Sequence, residues 1–364
     1  MGEVKLVNVS KTFGKQEAVK NLSFEVPDGS FVSLLGPSGC GKTTTLRMIA
    51  GLEKPDQGDI LIDGVRVNDV PPHKRDIAMV FQFYAIYPGM TVFDNMAFPL
   101  RQRKWSKQDI RKRVKEIAEI LQISHLLDKD AMSLTVGEKQ RVALGRAMVR
   151  DPKVFLFDEP LTNLDARLRS KMRVELKKLH TRIKTTTIYV THDQLEAITL
   201  SDKIGVMNLG VLQQFDTPEN LYNNPVNTFV AGFIGTPTMN LLECRVSNSG
   251  DKPFLQFDGF SLSEEFLRRN LRKLPDGMEL VFGVRPTDIE VEAGEKGGVL
   301  HGRVDVIESL GDKYILDLSV GNTVFRVVSR EASVKVGNEM EIFIDPEKIH
   351  LFDKKTGQRL NMVG

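Results

Sequence analysis

Apolar positions change period along the chain, and the changes mark out elements. Val4, Leu6, Val7 and Val9, then Leu22, Phe24 and Val26, flank Phe13-Gly14-Lys15 and lead to Pro27-Asp28-Gly29. That pattern predicts a β-hairpin over residues 1–30. Phe31 to Leu35, Ile77 to Phe81, Val154 to Phe157 and Thr186 to Val190 are short, mostly apolar runs that read as strands. Val154 to Phe157 has no polar residue at all, as expected of a strand buried on both faces of a parallel sheet. Between the runs the period turns helical. Thr44 to Ala50 reads as a helix stopped by Gly51. Ile110, Val114, Ile117 and Leu121 share one helix face, as do Leu168, Met172, Leu176, Leu179 and Ile183. Ile204 to Met207 and Val211 to Phe215 predict a hairpin about Gly210.

Beyond Thr236-Pro237 the alternation of helix and strand stops. Strand-like runs at 280–284, 302–307, 314–318, 323–328 and 340–344 follow, most of them separated by Gly or Pro turns. The expected architecture is therefore α/β over 1–235, with a helical subdomain at about 85–150, and a small all-β, OB-like barrel domain over 236–364.

The chain has 364 residues, 41% hydrophobic and 27% charged, with a net charge of +2. This charge gives no reason to expect a nucleic-acid partner. The longest apolar runs fall well short of the ~20 residues that span a bilayer. The first residues show no apolar signal region. The only cysteines, Cys40 and Cys244, are far apart and imply no disulfide framework. A reducing, cytoplasmic setting is expected. Arg101 to Glu116 is strongly basic and reads as a solvated helix face or as a face toward a membrane surface or an acidic partner.

The chemistry centres on Gly36-Pro37-Ser38-Gly39-Cys40-Gly41-Lys42-Thr43, followed by Thr44. It fits G-x-x-x-x-G-K-[ST] and sits between a predicted strand and a predicted helix. Glycines let backbone N–H groups converge on phosphate, and the helix N-terminus adds partial positive charge. Lys42 can reach the β- and γ-phosphates, and the Thr43 hydroxyl can ligate Mg²⁺. Cys40 lies beside Lys42 and a helix N-terminus, which favours thiolate. Asp158-Glu159 follows the buried run Val154 to Phe157, and ligands of open α/β sheets bind at strand carboxyl ends. His192 follows the strand at 186–190 in the same way. Phe13 stands beside a turn, where it can stack on a nucleobase or fill a core.

With these residues in place, the chain resembles the ATP-binding subunit of ATP-binding cassette (ABC) transporters, and within them the sugar-importer group typified by the maltose transporter ATPase. The markers stand in family order: Phe13, Gly36 to Thr44, Gln82, Val154 to Glu159, Leu161-Thr162-Asn163-Leu164-Asp165 and His192. The resemblance implies a P-loop cassette with an antiparallel β subdomain and a helical subdomain, using ATP and Mg²⁺. It implies that Asp158, Thr43 and Gln82 serve the metal, that Glu159 positions or deprotonates the attacking water, and that His192 and Gln82 sense the γ-phosphate. It further implies a homodimer with two ATPs at its interface, separate integral membrane permease subunits, and indirectly an extracytoplasmic solute-binding protein. The chain would sit peripherally on the cytoplasmic face of the membrane, with Tyr84 to Met90 docking the permease and the C-terminal domain acting in regulation. The expected solute is a sugar. The alternatives are an importer of an oxyanion, polyamine or metal, and an ABC-type nucleotide switch without transport.

One stretch departs from the family. Its signature loop reads Leu-Ser-Gly-Gly-Gln, and the aligned residues here are Leu134-Thr135-Val136-Gly137-Glu138. In the family this loop closes on the γ-phosphate of the other subunit's ATP, so Thr135, Val136, Gly137 and Glu138 count as nucleotide contacts, as does Asp165. A β-branched Val136 is unfavourable if φ there is positive. Glu138 is expected to bring a negative charge near the polyphosphate.

Overall fold

In the computed structural model, which describes residues 2–82, 85–162, 164–249, 252–267, 274–292, 299–330 and 334–360, the apolar runs are the central strands. The first part of the chain runs β1 (Val4–Phe13), β2 (Gln16–Val26), β3 (Phe31–Leu35), α1 (Lys42–Ala50), β4 (Gln57–Ile62), β5 (Val65–Arg66), β6 (Ile77–Val80), α2 (Val92–Gln102), α3 (Lys107–Ile120), α4 (Val136–Met148), β7 (Val154–Asp158), α5 (Ala166–Ile183), β8 (Thr186–Thr191), α6 (Gln194–Leu200), β9 (Lys203–Asn208) and β10 (Val211–Asp216).

A six-stranded sheet has the order β10-β9-β3-β8-β7-β6. Its strands are parallel except for β10, which forms the predicted hairpin with β9. Every residue of β3, β7 and β8 is buried, because helices cover both faces of a parallel sheet. A second, antiparallel sheet, β2-β1-β4-β5, carries the N-terminal hairpin. Between β6 and β7 lie α2, α3 and α4, whose apolar stripes share a core with the sheet; Met96, Leu100, Ile110, Val114 and Leu144 belong to it.

The basic stretch is in part a packing device. Arg113 of α3 donates to Val149 O at 3.4 Å and Met148 O at 3.3 Å and pairs with Asp151, so it closes the carbonyl end of α4. One residue of the run is therefore anchored, not turned to a partner.

Contacts divide the chain into Met1–Pro218 and Glu219–Gly364. The sequence expectation placed the boundary after residue 235. Within the second unit Arg285 is buried, 1% exposed. Its guanidinium donates to Tyr222 O at 2.7 Å, to Ala231 O at 3.1 Å and to Ile234 O, and lies 4.2 Å from the centre of the Tyr222 ring. These bonds bind residues 219–235 to the C-terminal unit.

That unit is all-β apart from short helices. One antiparallel sheet holds, in order, Ser261–Ser263, Lys252–Gln256, Asn240–Ser249, Glu279–Val284 and His350–Asp353. The other holds Ile289–Glu292, Glu339–Ile344, Leu300–Ser309, Tyr314–Val320 and Thr323–Ser329. Both sheets contribute to one core, which includes Leu280, Phe282, Leu316, Phe325, Ile342 and Leu351. Cys244 is buried there, which pushes its thiol up to about 12.

Candidate nucleotide site

The loop from Gly36 to Gly41 joins β3 to α1, and its conformation depends on glycine. Gly41, at the N-cap of α1, has φ 103°, and a Cβ there would lie 2.4 Å from Ala18 O. No side chain caps this helix, so its first N–H groups are left for a ligand. Pro37, Ser38 and Gly39 are exposed at the lip, and Thr43 and Thr44 are half-buried. Lys42 is 4% exposed, and its Nζ donates to Gly36 O at 2.8 Å and Pro37 O at 2.9 Å. It lies 3.7 Å from Cys40 Sγ. Cys40 is itself buried, and burial raises its thiol against the opposing pull of Lys42. The expected thiolate therefore gives way to a protonated thiol, since desolvation outweighs the neighbouring charge.

The far end of α1 is pinned as well. The buried Arg75 donates to Met48 O at 2.8 Å, Ile49 O at 2.9 Å and Val70 O at 2.7 Å. The guanidinium thus satisfies the last carbonyls of the helix and complements its dipole.

Asp158 ends β7 and reaches the phosphate loop directly: Thr43 Oγ1 donates to Asp158 Oδ1 at 2.9 Å. Burial raises the Asp158 carboxyl, and the Thr43 bond, Arg47 and Lys42 oppose that rise. Glu159, the next residue, has φ 46° and donates its N–H to Val190 O at 3.0 Å. This left-handed turn, uncommon for a non-glycine residue, accompanies a side chain that meets Thr162 and His192. Thr162 Oγ1 donates to Glu159 Oε2 at 3.2 Å, and His192 Nδ1 lies 3.2 Å from the same oxygen.

The strand end beneath His192 is braced. Thr191 Oγ1 and Tyr189 OH both donate to Glu196 Oε2 at 2.8 Å. Glu196 is 2% exposed, and burial raises its carboxyl. Asp193 caps α6 by accepting from Glu196 N at 3.0 Å.

The remaining candidates occupy the surroundings. Gln82 is half-buried at the turn after β6, the strand next to β7 in the sheet. Phe13, at the end of β1, is 47% exposed, with Lys11 Nζ 5.2 Å from its ring centre. It is a surface ring and not a core residue. Asp165 caps α5 by accepting from Leu168 N at 2.9 Å. Asn163 and Tyr84 lie outside the described residues.

The divergent loop differs from expectation in two ways. Val136 is the first residue of α4 and has no positive φ, so the branched side chain meets no backbone strain. Glu138 turns its carboxylate back on its own helix: Thr135 N donates to Glu138 Oε2 at 2.9 Å, and Thr135 Oγ1 to the same oxygen at 2.8 Å. Glu138 N donates in return to Thr135 Oγ1 at 3.4 Å. This is a capping box, and the Thr135 bonds hold the Glu138 carboxyl below its usual range. The signal was present in the sequence as Thr-x-x-Glu before a helix. Gly137 packs close to Leu168: a Cβ there would lie 2.8 Å from Leu168 Cδ2, and the leucine end would have to shift. Among the described residues, no recorded bond joins Thr135 to Glu138 with the phosphate loop.

Sequence reasoning gave no role to Arg169, Asp193 or Glu196. The spacing Asp193-x-x-Glu196 is a helix-start signal. Arg169 is one of several basic residues in α5, and nothing in the sequence sets it apart.

Comparison with known proteins agrees with this geometry. The family model described as ABC transporter matches residues 19–162, that described as MalK OB fold domain matches 235–289, and that described as TOBE domain matches 282–352. The trehalose/maltose import ATP-binding protein MalK of Thermococcus litoralis is 50% identical over 99% of this chain and 100% of its own length. The sn-glycerol-3-phosphate import ATP-binding protein UgpC of Psychromonas ingrahamii is 44% identical over 100% of this chain and 96% of its own. Among solved structures, a dimeric ATP-binding cassette in a post-hydrolysis state, bound to ADP and Pi, is similar with TM-score 0.53 and 32% identity, over 59% of this chain and 98% of its own.

Proposed function

The chain belongs to the ATP-binding subunits of ABC transporters, and on that premise we propose how its residues divide the work of ATP hydrolysis in an importer. The loop Gly36 to Thr43 cradles the phosphates with backbone N–H groups and the uncapped start of α1. Lys42, whose Nζ bonds loop carbonyls, turns to the β- and γ-phosphate oxygens when nucleotide enters. Phe13 stacks on the base, and its exposure at a strand end suits that task.

Thr43, Asp158 and Gln82 offer hard oxygen ligands of the kind Mg²⁺ prefers. The 2.9 Å bond between Thr43 Oγ1 and Asp158 Oδ1 already brings two of these oxygens together. Bound there, the ion would neutralise charge on the β- and γ-phosphates. Glu159 accepts a proton from, or orients, the water that attacks the γ-phosphorus. His192 holds a γ-phosphate oxygen through a ring nitrogen. The observation that carries this reading is the joining of the phosphate loop to the β7 carboxylates, with His192 on the second of them.

The subunit is proposed to act as a homodimer in which Thr135 to Glu138 and Asp165 face the partner's nucleotide; the dimeric cassette similar to this chain supports that arrangement. The proposed permease contact is the region Tyr84 to Met90, on the cytoplasmic face of the membrane. Its described part borders a cleft of about 360 Å³ that includes Phe98 and Arg150, where Arg146 lies 4.6 Å from the centre of the Tyr87 ring. We assign the solute to the sugars, in line with the relative named for trehalose and maltose, and the all-β unit to regulation.

The decisive variant is Glu159→Gln. It is expected to abolish turnover, retain ATP and accumulate an ATP-dependent dimer, because binding uses Lys42 and Thr43 whereas hydrolysis needs the carboxylate. Turnover near that of the parent in the purified variant would overturn the assignment of Glu159.

A further inference from the structure

Arg169 stands in the first turn of α5, just after the loop that leaves β7. Its guanidinium reaches two separate loops. On one side NH2 donates to Thr162 O at 3.3 Å and Leu164 O at 3.0 Å. On the other, NH1 lies 3.5 Å from Asp193 Oδ2. Both loops bear on the same carboxylate. Thr162 is bonded to Glu159 Oε2 through its hydroxyl, and His192, the neighbour of Asp193, lies against that oxygen. The bonds close a ring: Glu159, Thr162, Arg169, Asp193, His192 and back to Glu159.

We propose that Arg169 is a positioning residue that couples the loop after β7 to the loop after β8, and so holds Glu159 and His192 in register. The proposal rests on the ATPase reading above. In that reading Asp165 and its loop face the second subunit, so arrival of the partner is passed through Arg169 to the His192 loop.

The ordinary alternative is an arginine that merely steadies its own helix. Magnitudes separate the two. The Arg169–Asp193 pair is 31% and 25% exposed and 3.5 Å long. A partly solvated pair of that length adds little to global stability. Its other bonds hold carbonyls of the adjoining loop in the same chain. A displacement of about 1 Å at a reacting group, by contrast, can slow a reaction on the order of a hundredfold. Asp193 is otherwise fixed, since its Oδ1 accepts from Glu196 N at 3.0 Å and Glu196 is buried. Arg169 therefore links the α5 side to the capped start of α6.

The test uses the full chain with Arg169→Met, Arg169→Lys and Asp193→Asn. Turnover, equilibrium ATP binding, melting temperature and amide hydrogen exchange are measured on each. Arg169→Met is expected to lower kcat by about ten- to a hundredfold, with ATP affinity and melting temperature unchanged. Arg169→Lys restores part of the rate. Asp193→Asn lowers kcat in the same direction, and its effect is not additive with that of Arg169→Met, because both break one link. Exchange in Arg169→Met quickens in the segments around both Thr162 and Asp193.

Parental turnover in Arg169→Met, or a loss of affinity and melting temperature in step with turnover, would overturn the proposal. So would faster exchange confined to α5. If the parent chain itself hydrolyses no ATP, the ATPase reading falls, and exchange in the two segments still decides whether Arg169 couples them.

Discussion

Two helix starts in the same domain are built in opposite ways. The start of α1 has glycine at its N-cap, φ 103°, and no side-chain cap. The start of α4 is closed on itself by Thr135 and Glu138. A helix end with free N–H groups gains most from an incoming phosphate, whereas an end already capped must exchange one partner for another. The first is arranged for capture. The second is stable by itself, so contact with a partner's nucleotide competes with bonds it already has. The N-cap residue separates the two: a glycine with no side chain at one, a threonine boxed with Glu138 at the other.

The comparison is sharpest at its glycines. Gly41→Ala puts a methyl 2.4 Å from a backbone carbonyl at positive φ, and neither can give way cheaply. We expect about 3 kcal/mol of destabilisation and loss of measurable ATP binding, read by denaturant unfolding and nucleotide titration. At the other end, Thr135→Ala removes the cap. It should lower stability by about 1 kcal/mol while leaving ATP affinity of the isolated subunit intact. A fall in affinity comparable to that of Gly41→Ala would erase the distinction between the two ends. Gly137→Ala is expected to destabilise by less than about 1 kcal/mol, because its Cβ meets a leucine methyl that can rotate, at an ordinary φ.

The smallest effect concerns pH. The Glu138 carboxyl is held below the usual glutamate range by its bonds from Thr135. A carboxyl depressed in the folded state contributes stability above its unfolded value and loses it as pH falls through the folded one. Glu138→Gln should therefore lower stability slightly at pH 7, where the carboxylate is charged, and converge with the parent in acid, which removes this residue's share of the acid limb. The same variant also removes a charge from the face proposed to meet the partner's ATP. Stronger ATP-dependent dimerisation by light scattering would show that this charge weakens closure. No change would show that the capping box keeps it out of the way.

What could be read from the chain follows the same division. β3, β7 and β8 announced themselves because strands buried on both faces are rich in apolar and β-branched residues, and the site lies at their carboxyl ends as such sheets require. The strand Asn240–Ser249 did not, because Glu243, Arg245, Ser247 and Asn248 break its apolar run. The start of α4 was legible as a family motif, and its capping box as a helix-start pattern. The Thr-x-x-Glu pattern at the same positions describes what the side chains do. The ring through Arg169 was not legible at all. It depends on an arginine that bonds nearby loop carbonyls and also reaches the Asp193 carboxylate on another loop, and sequence spacing carries no record of such a link.

Arg75 carries a consequence for the conditions under which the site keeps its shape. Surface pairs such as Lys54–Asp69 are held by two mobile charges and weaken as ionic strength rises. The recorded bonds of Arg75 run from a guanidinium that does not titrate to carbonyl dipoles fixed in the backbone. Added salt competes poorly for such buried contacts, and acid has no group among them to protonate. The C-terminal end of the phosphate-loop helix is thereby moored independently of the electrolyte around it, and high salt should loosen the outer ion pairs well before it shifts α1.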